Sequence, residues 1–152
     1  MLDSENEDET DLLPADWLTE GVAEAGCRDV DDGTQLSLRA APGMKYFGVR
    51  LAASRVAPMF SLARVSFDYR IVSRTGIAGL HVVLREWRQA GSFNFQSQKV
   101  LPLIPAMARA ELSLSVREPG MVVEPVLLFE AAAREDLSAA TILIEDLCFE
   151  VT

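Results

Sequence analysis

The sequence predicts an all-β domain, a two-sheet antiparallel β-sandwich of about eight strands, and three observations carry that prediction. Apolar and polar residues alternate with period two through most of the chain after Thr34, the pattern of a sheet with one buried face. Turn residues fall between the alternating runs. No strand-helix-strand alternation appears, which argues against a parallel α/β sheet.

The runs follow one another in order. Gln35-Leu36-Ser37-Leu38-Arg39 alternates strictly, and Tyr46 to Leu51 does so less cleanly. Arg64 to Ile71 places Val65, Phe67, Tyr69 and Ile71 on one face and Arg64, Ser66, Asp68 and Arg70 on the other. Leu80 to Trp87 reads as a long strand with one mixed face, and Ser92 to Gln98 alternates aromatic with amide. Glu111 to Arg117, Val122 to Glu130 and Ile142 to Val151 complete the set. Ala41-Pro42-Gly43, Arg74-Thr75-Gly76, Gln89-Ala90-Gly91 and Glu118-Pro119-Gly120 supply the turns, the third being short enough for a hairpin. Pro14 to Ala25 reads as a short helical turn with Trp17, Leu18 and Val22 on one side, and Glu130 to Ala140 as a loop.

Length and charge bound the rest. A chain of 152 residues fits one domain. The net charge of −9 is unevenly placed: the first 32 residues hold twelve of the 23 acidic residues and one base, Arg28. Residues 1–13 are therefore expected to be an acidic, flexible leader and 14–152 the sandwich. Such a leader repels nucleic acid and anionic membrane surfaces, which excludes the first as a partner. No apolar run reaches the roughly 18 residues a membrane span needs. The acidic start is the opposite of a signal peptide, so the expected location is cytoplasmic unless the chain is a fragment of a larger secreted protein. The two cysteines, Cys27 and Cys148, are too few for a disulfide framework, and they would meet only if the first and last strands paired.

Catalytic signatures are missing. His81 is the only histidine, no nucleophile elbow surrounds a serine, and there is no phosphate-binding glycine loop or His/Cys metal spacing. The sequence therefore points to no catalytic residue and to a binding or interaction module. The best constellation for a ligand is the hairpin around Trp87. His81, Arg85 and Trp87 share one face of their strand, and Asn94, Gln96 and Gln98 share one face of the next, opposite Phe93 and Phe95. Asp68 and Arg70 would extend this platform from the preceding strand. An aromatic ring, a guanidinium and amides side by side suit a sugar, whose ring stacks and whose hydroxyls exchange hydrogen bonds. The same residues also read as a core lid at Trp87 and an ordinary solvent face at the amides.

Trp17-Leu18-Thr19-Glu20-Gly21 with Asp32-Gly33-Thr34-Gln35-Leu36-Ser37-Leu38, the long middle strands from Arg64 to Val72 and Gly79 to Trp87, and the closing run Thr141 to Glu150 with its acidic pair resemble the galactose-binding-like jelly-roll domains. That group includes many carbohydrate-binding modules, and the resemblance covers residues 14–152. It implies a sandwich that binds a glycan through one face, and a structural calcium held by Asp146 with Glu20 or Glu24. Nothing outside the resemblance calls for a cofactor. The alternative is a structural or protein-interaction domain, meeting a protein partner or a second copy through an exposed sheet face or through Leu101-Pro102-Leu103-Ile104-Pro105 and Met107.

Overall fold

The computed structural model describes residues 13–31, 33–132 and 137–152. The acidic leader expected over residues 1–13 lies almost wholly outside the described residues.

Among the described residues eleven strands form two antiparallel sheets. They are β1 (Leu18–Glu20), β2 (Val22–Val30), β3 (Gly33–Ala40), β4 (Tyr46–Arg50), β5 (Arg55–Ala57), β6 (Leu62–Thr75), β7 (Ile77–Arg88), β8 (Phe93–Leu101), β9 (Ala108–Ser115), β10 (Met121–Ala131) and β11 (Ala139–Val151). One sheet runs β1-β4-β10-β7-β8, with β5 also pairing β10, and the other runs β2-β3-β11-β6-β9.

All eight expected strands are present, as β3, β4 and β6 to β11. The three additional ones are short or lie at a sheet edge, where few side chains are buried. The helical turn expected from Pro14 to Ala25 is instead a turn closed by the Trp17 amide on the Pro14 carbonyl, followed by β1 and β2. Leu18 and Val22 sit at helical spacing, yet Leu18 is exposed on β1 while Trp17 enters the core. Partners across the sheets override the local pattern.

Alternation sets the core. From the five-stranded sheet come Leu36, Leu38, Val65, Phe67, Tyr69, Ile142 and Ile144. From the six-stranded sheet come Phe47, Val49, Leu80, Val82, Leu84, Val123, Leu127 and Phe129. Phe47 stacks on Phe129 with centroids 5.6 Å apart, an aromatic pair that joins β4 to β10. The Pro-rich stretch offered as a partner contact is strapped to the sandwich. Leu101 is buried, Tyr69 Oη donates to the Pro102 carbonyl at 2.7 Å, and the Ile71 amide donates to Ile104. Pro102, Pro105 and Met107 of that group are exposed.

Two connections decide where the candidate site residues fall. Gly76, at φ 63°, turns the chain from β6 to β7 without pairing them, so the chain crosses from one sheet to the other. Gln89-Ala90-Gly91 does close a hairpin, with the Arg88 amide on the Ser92 carbonyl and Gly91 at φ 99°, a region that a side chain disfavours. Cys27 on β2 and Cys148 on β11 are both free thiols, separated by β3. First and last strands do not pair.

Candidate functional site

The outer face of the six-stranded sheet is read off the register. Cross-strand partners share a face, so the residues opposite His81, Val83, Arg85 and Trp87 of β7 define it. Trp87 lies between Val122 and Phe93, Arg85 between Glu124 and Gln96, Val83 between Val126 and Gln98, and His81 between Leu128 and Val100. On the far side β4 adds Tyr46, Gly48 and Arg50, and β1 adds Leu18 and Glu20.

The face has three parts. At one end Trp87 and Phe93 meet edge to face, centroids 5.4 Å apart, with Phe93 47% exposed. In the middle Arg85 reaches across β10 and β4 to Glu20, donating from two nitrogens to both carboxylate oxygens at 2.7 and 2.8 Å. This bidentate geometry is the strong form of the interaction. Hydrogen bonding to Glu20 raises the Arg85 pKa, burial opposes it, and the charges of Glu20 and Glu124 add to the rise. Glycine at 48 belongs to this arrangement, because a Cβ there would fall on the Leu127 backbone. Beside the pair, Gln96 donates to Gln98 at 2.8 Å, so the two amides are held in line along β8. At the other end His81 Nε2 lies 3.2 Å from Glu130 Oε1, and its ring meets Tyr46 edge-on at 6.0 Å.

Several expected positions change. His81, Arg85, Trp87, Gln96 and Gln98 do share the face. Asn94 does not: a bulge sets Phe93 opposite Trp87 and Phe95 opposite Glu86, and Asn94 turns to donate to Glu86 and Glu118. Phe93, expected to point inward, takes its place. Asp68 and Arg70 are on β6, in the other sheet, so they extend nothing here. Asp68 instead accepts from Arg109 of β9 at 3.1 Å.

The acidic residues assigned to calcium are not brought together. Glu20 is on β1 and engaged by Arg85. Glu24 is on β2, paired to Arg39 at 2.8 Å in the row of Ala139 at the start of β11. Asp146 stands apart from that row at φ 54°, in the bulge of β11 between Glu145 and Cys148. Among the described residues no group of three or more His, Cys, Asp or Glu could hold a metal ion.

Tyr46, Glu124, Glu130 and the Glu20–Arg85 contact were not legible from local pattern. Their partners lie on strands far away in sequence, 65 residues for Glu20 and Arg85, and only the strand order unites them. Parity within Tyr46 to Leu51 could have put Tyr46 on one face with Gly48 and Arg50, but not beside His81.

No protein-family model and no curated protein sequence matches the chain. Solved structures do resemble it, mostly carbohydrate-binding modules, including members of families 4, 11 and 61. The CBM22-1 xylan-binding domain of Paenibacillus barcinonensis aligns at TM-score 0.57 and 12% identity, over 90% of this chain and 85% of that one. The enzymatically active domain of tailspike protein 4 of bacteriophage CBA120 aligns at 0.64 and 11%, over 91% of this chain and 20% of that one. The Stig cyclase Fisc from Fischerella sp. TAU aligns at 0.64 and 10%, over 96% and 89%. The chain spans about a fifth of the tailspike protein and a similar share, 23%, of an arabinofuranosidase. The fold is thus the jelly-roll β-sandwich of carbohydrate-binding modules, which these enzymes also contain.

Proposed function

We propose that this domain is a non-catalytic module that binds a carbohydrate on the outer face of its six-stranded sheet. The observation that carries this reading is the Trp87–Phe93 pair standing in register with the Arg85, Gln96 and Gln98 row. A pyranose presents an apolar face that stacks on an aromatic ring and an edge of hydroxyls that both donate and accept. Phe93 supplies exposed ring and Trp87 backs it. Gln96 and Gln98 offer donors and acceptors, Glu124 accepts, and Arg85 donates from a position fixed by Glu20. Preorganised side chains lose less entropy when a ligand orders them. Calcium forms no part of this reading, because Glu20 and Glu24 are each held by an arginine.

A glycan-array screen with wild type and Trp87→Ala tests it. Binding to at least one glycan is expected, unaffected by chelation, and reduced about tenfold or more in the variant, the size of one lost stacking contact of ~1.5 kcal/mol. Undiminished binding by a folded Trp87→Ala would remove the face assignment, and the absence of any glycan binding would remove the class.

A second reading, a protein partner on this same face, has its own observation. Leu18, Val56 and Val100 flank the polar row and are 54%, 64% and 65% exposed, more apolar surface than a sugar alone needs. Light scattering distinguishes a second copy of the chain from a monomer.

A further inference from the structure

Glu86 stands where the rest of β7 is apolar. Its register partners are Val123 and Phe95, and with Leu80, Val82 and Leu84 it belongs to the inward face. It is 4% exposed. Its Oε1 accepts from Asn94 Nδ2, whereas Oε2 is buried and has no hydrogen-bond partner. No cation pairs with it among the described residues. A buried carboxylate oxygen without a donor is destabilising.

Glu86 also lines a cavity of about 540 Å³ between β8 and β9, the edge strands of the two sheets, within the size range of small-molecule sites. Glu86, Asn94, Phe95, Ser97, Ser115 and Glu118 line it, together with one cation, Arg117. The Asn94 amide nitrogen is occupied by Glu86 and Glu118, which leaves its oxygen as an acceptor. The serine hydroxyls accept as well as donate, and Phe95, 54% exposed, offers an aromatic ring. The two carboxylates of the cavity outnumber its one guanidinium, and with this acceptor capacity and a ring the cavity is complementary to a cation that carries donors on an apolar body.

We propose that this cavity is a second binding site, for a small organic ammonium compound, with the charged head on the Glu86 carboxylate and the body against Phe95. The site is independent of the glycan face, because Glu86 and Trp87 are adjacent on β7 and point to opposite sides of the sheet.

Benzylamine, protonated at pH 7, and benzyl alcohol, its neutral counterpart, test this by two-dimensional amide NMR on the whole domain. Saturable shifts at Phe95, Ser97 and Ser115 are expected with benzylamine, with affinity at least tenfold weaker for benzyl alcohol and for benzylamine with Glu86→Gln. Ser97→Leu, which fills the cavity without altering the carboxylate, is expected to abolish the shifts in a protein whose remaining spectrum is unchanged. No saturable shift, equal affinity for the two compounds, or undiminished binding by Glu86→Gln would each overturn the proposal. Glycan binding, measured on the same Glu86→Gln protein, stays at the wild-type level if the two sites are separate.

Discussion

The Glu20–Arg85 pair is the contact on which the geometry of the candidate face depends, and its strength can be worked out. Unit charges about 4 Å apart gain roughly 4 kcal/mol at the effective dielectric of a partly shielded site and about 1 kcal/mol in water. Arg85 is the shielded partner, 17% exposed, while Glu20 is 40% exposed, so solvent screening takes much of the larger figure. Holding two long side chains in one geometry takes more. A net coupling of about 1–2 kcal/mol remains, above an ordinary surface pair because the contact is bidentate. Glu20→Gln, Arg85→Met and the double variant form a thermodynamic cycle, read by urea unfolding. Glu20→Gln is expected to lower Tm by roughly 2–8 °C for a chain of this size. The smaller part of that range applies if Glu124, whose charge also acts on Arg85, compensates. Protection of the β1 amides from hydrogen exchange should fall in step, since the pair ties β1 to β7 over two intervening strands. A coupling within ~0.3 kcal/mol of zero, with β1 protection unchanged, would refute the view that this pair holds the face together.

Four further outcomes follow from the packing. Gly48→Ala should cost about 2–4 kcal/mol, read by thermal unfolding, because the added methyl falls on the Leu127 backbone where β4 pairs β10. Tyr69→Phe should cost about 1–2 kcal/mol by removing the donor to Pro102. Burial raises Tyr69 above its usual 10.0, and burial followed by the Asp29 charge raises Cys27 above 9.0. The unfolded chain therefore loses these protons first, so their stabilising contribution is intact below about pH 9 and is lost as pH rises through the folded values. Melting between pH 8 and pH 10.5 should fall less steeply in Cys27→Ala, and equal slopes would contradict this. Iodoacetamide should label exposed Cys148 before buried Cys27. Cys148 should still react slowly below pH 9, since its hydrogen bond to Glu150, with smaller contributions from desolvation and the Glu150 charge, raises the thiol.

The sequence carried the strands whose faces are unequal and missed those whose faces are not. β6 and β10 bury alternate side chains along most of their length, and their residues announce it. Of β2 only Cys27 is buried, so Val22 to Val30 has no two-residue period to read, and Val22 took part in a spurious helical pattern. Within the site, the parity of β7 put His81, Arg85 and Trp87 together, because parity needs only a regular strand. It failed at Asn94, where one extra residue in β8 exchanges the faces of everything before it. Asp68 and Arg70 were misplaced for a different reason: Arg74-Thr75-Gly76 is as good a hairpin turn as Gln89-Ala90-Gly91. Whether two consecutive strands pair or part between sheets is decided by what else each strand can pair with, here β11 and β9 for β6, and β10 and β8 for β7.

The contrast between the two outward faces explains why the six-stranded one is assigned the ligand. A depression of about 690 Å³ lies on the five-stranded side among Glu24, Ser37, Arg39 and Thr141. Its polar groups have already found one another: Arg39 is paired to Glu24, and Ser37 shares a hydrogen bond with Thr141 at 2.9 Å. Asp68, Arg109 and Glu111 close a similar network further along that sheet. A ligand there would have to break pairs before making its own, and the net gain per hydrogen bond is only about 1 kcal/mol. On the six-stranded side Phe93 is a half-exposed ring. Each amide of the Gln96–Gln98 pair keeps unused donors or acceptors, and Glu124 has no ion-pair partner in direct contact among the described residues. The face already ordered by Glu20 and Arg85, yet still unsatisfied, is the one on which hydroxyl groups add interactions without displacing any.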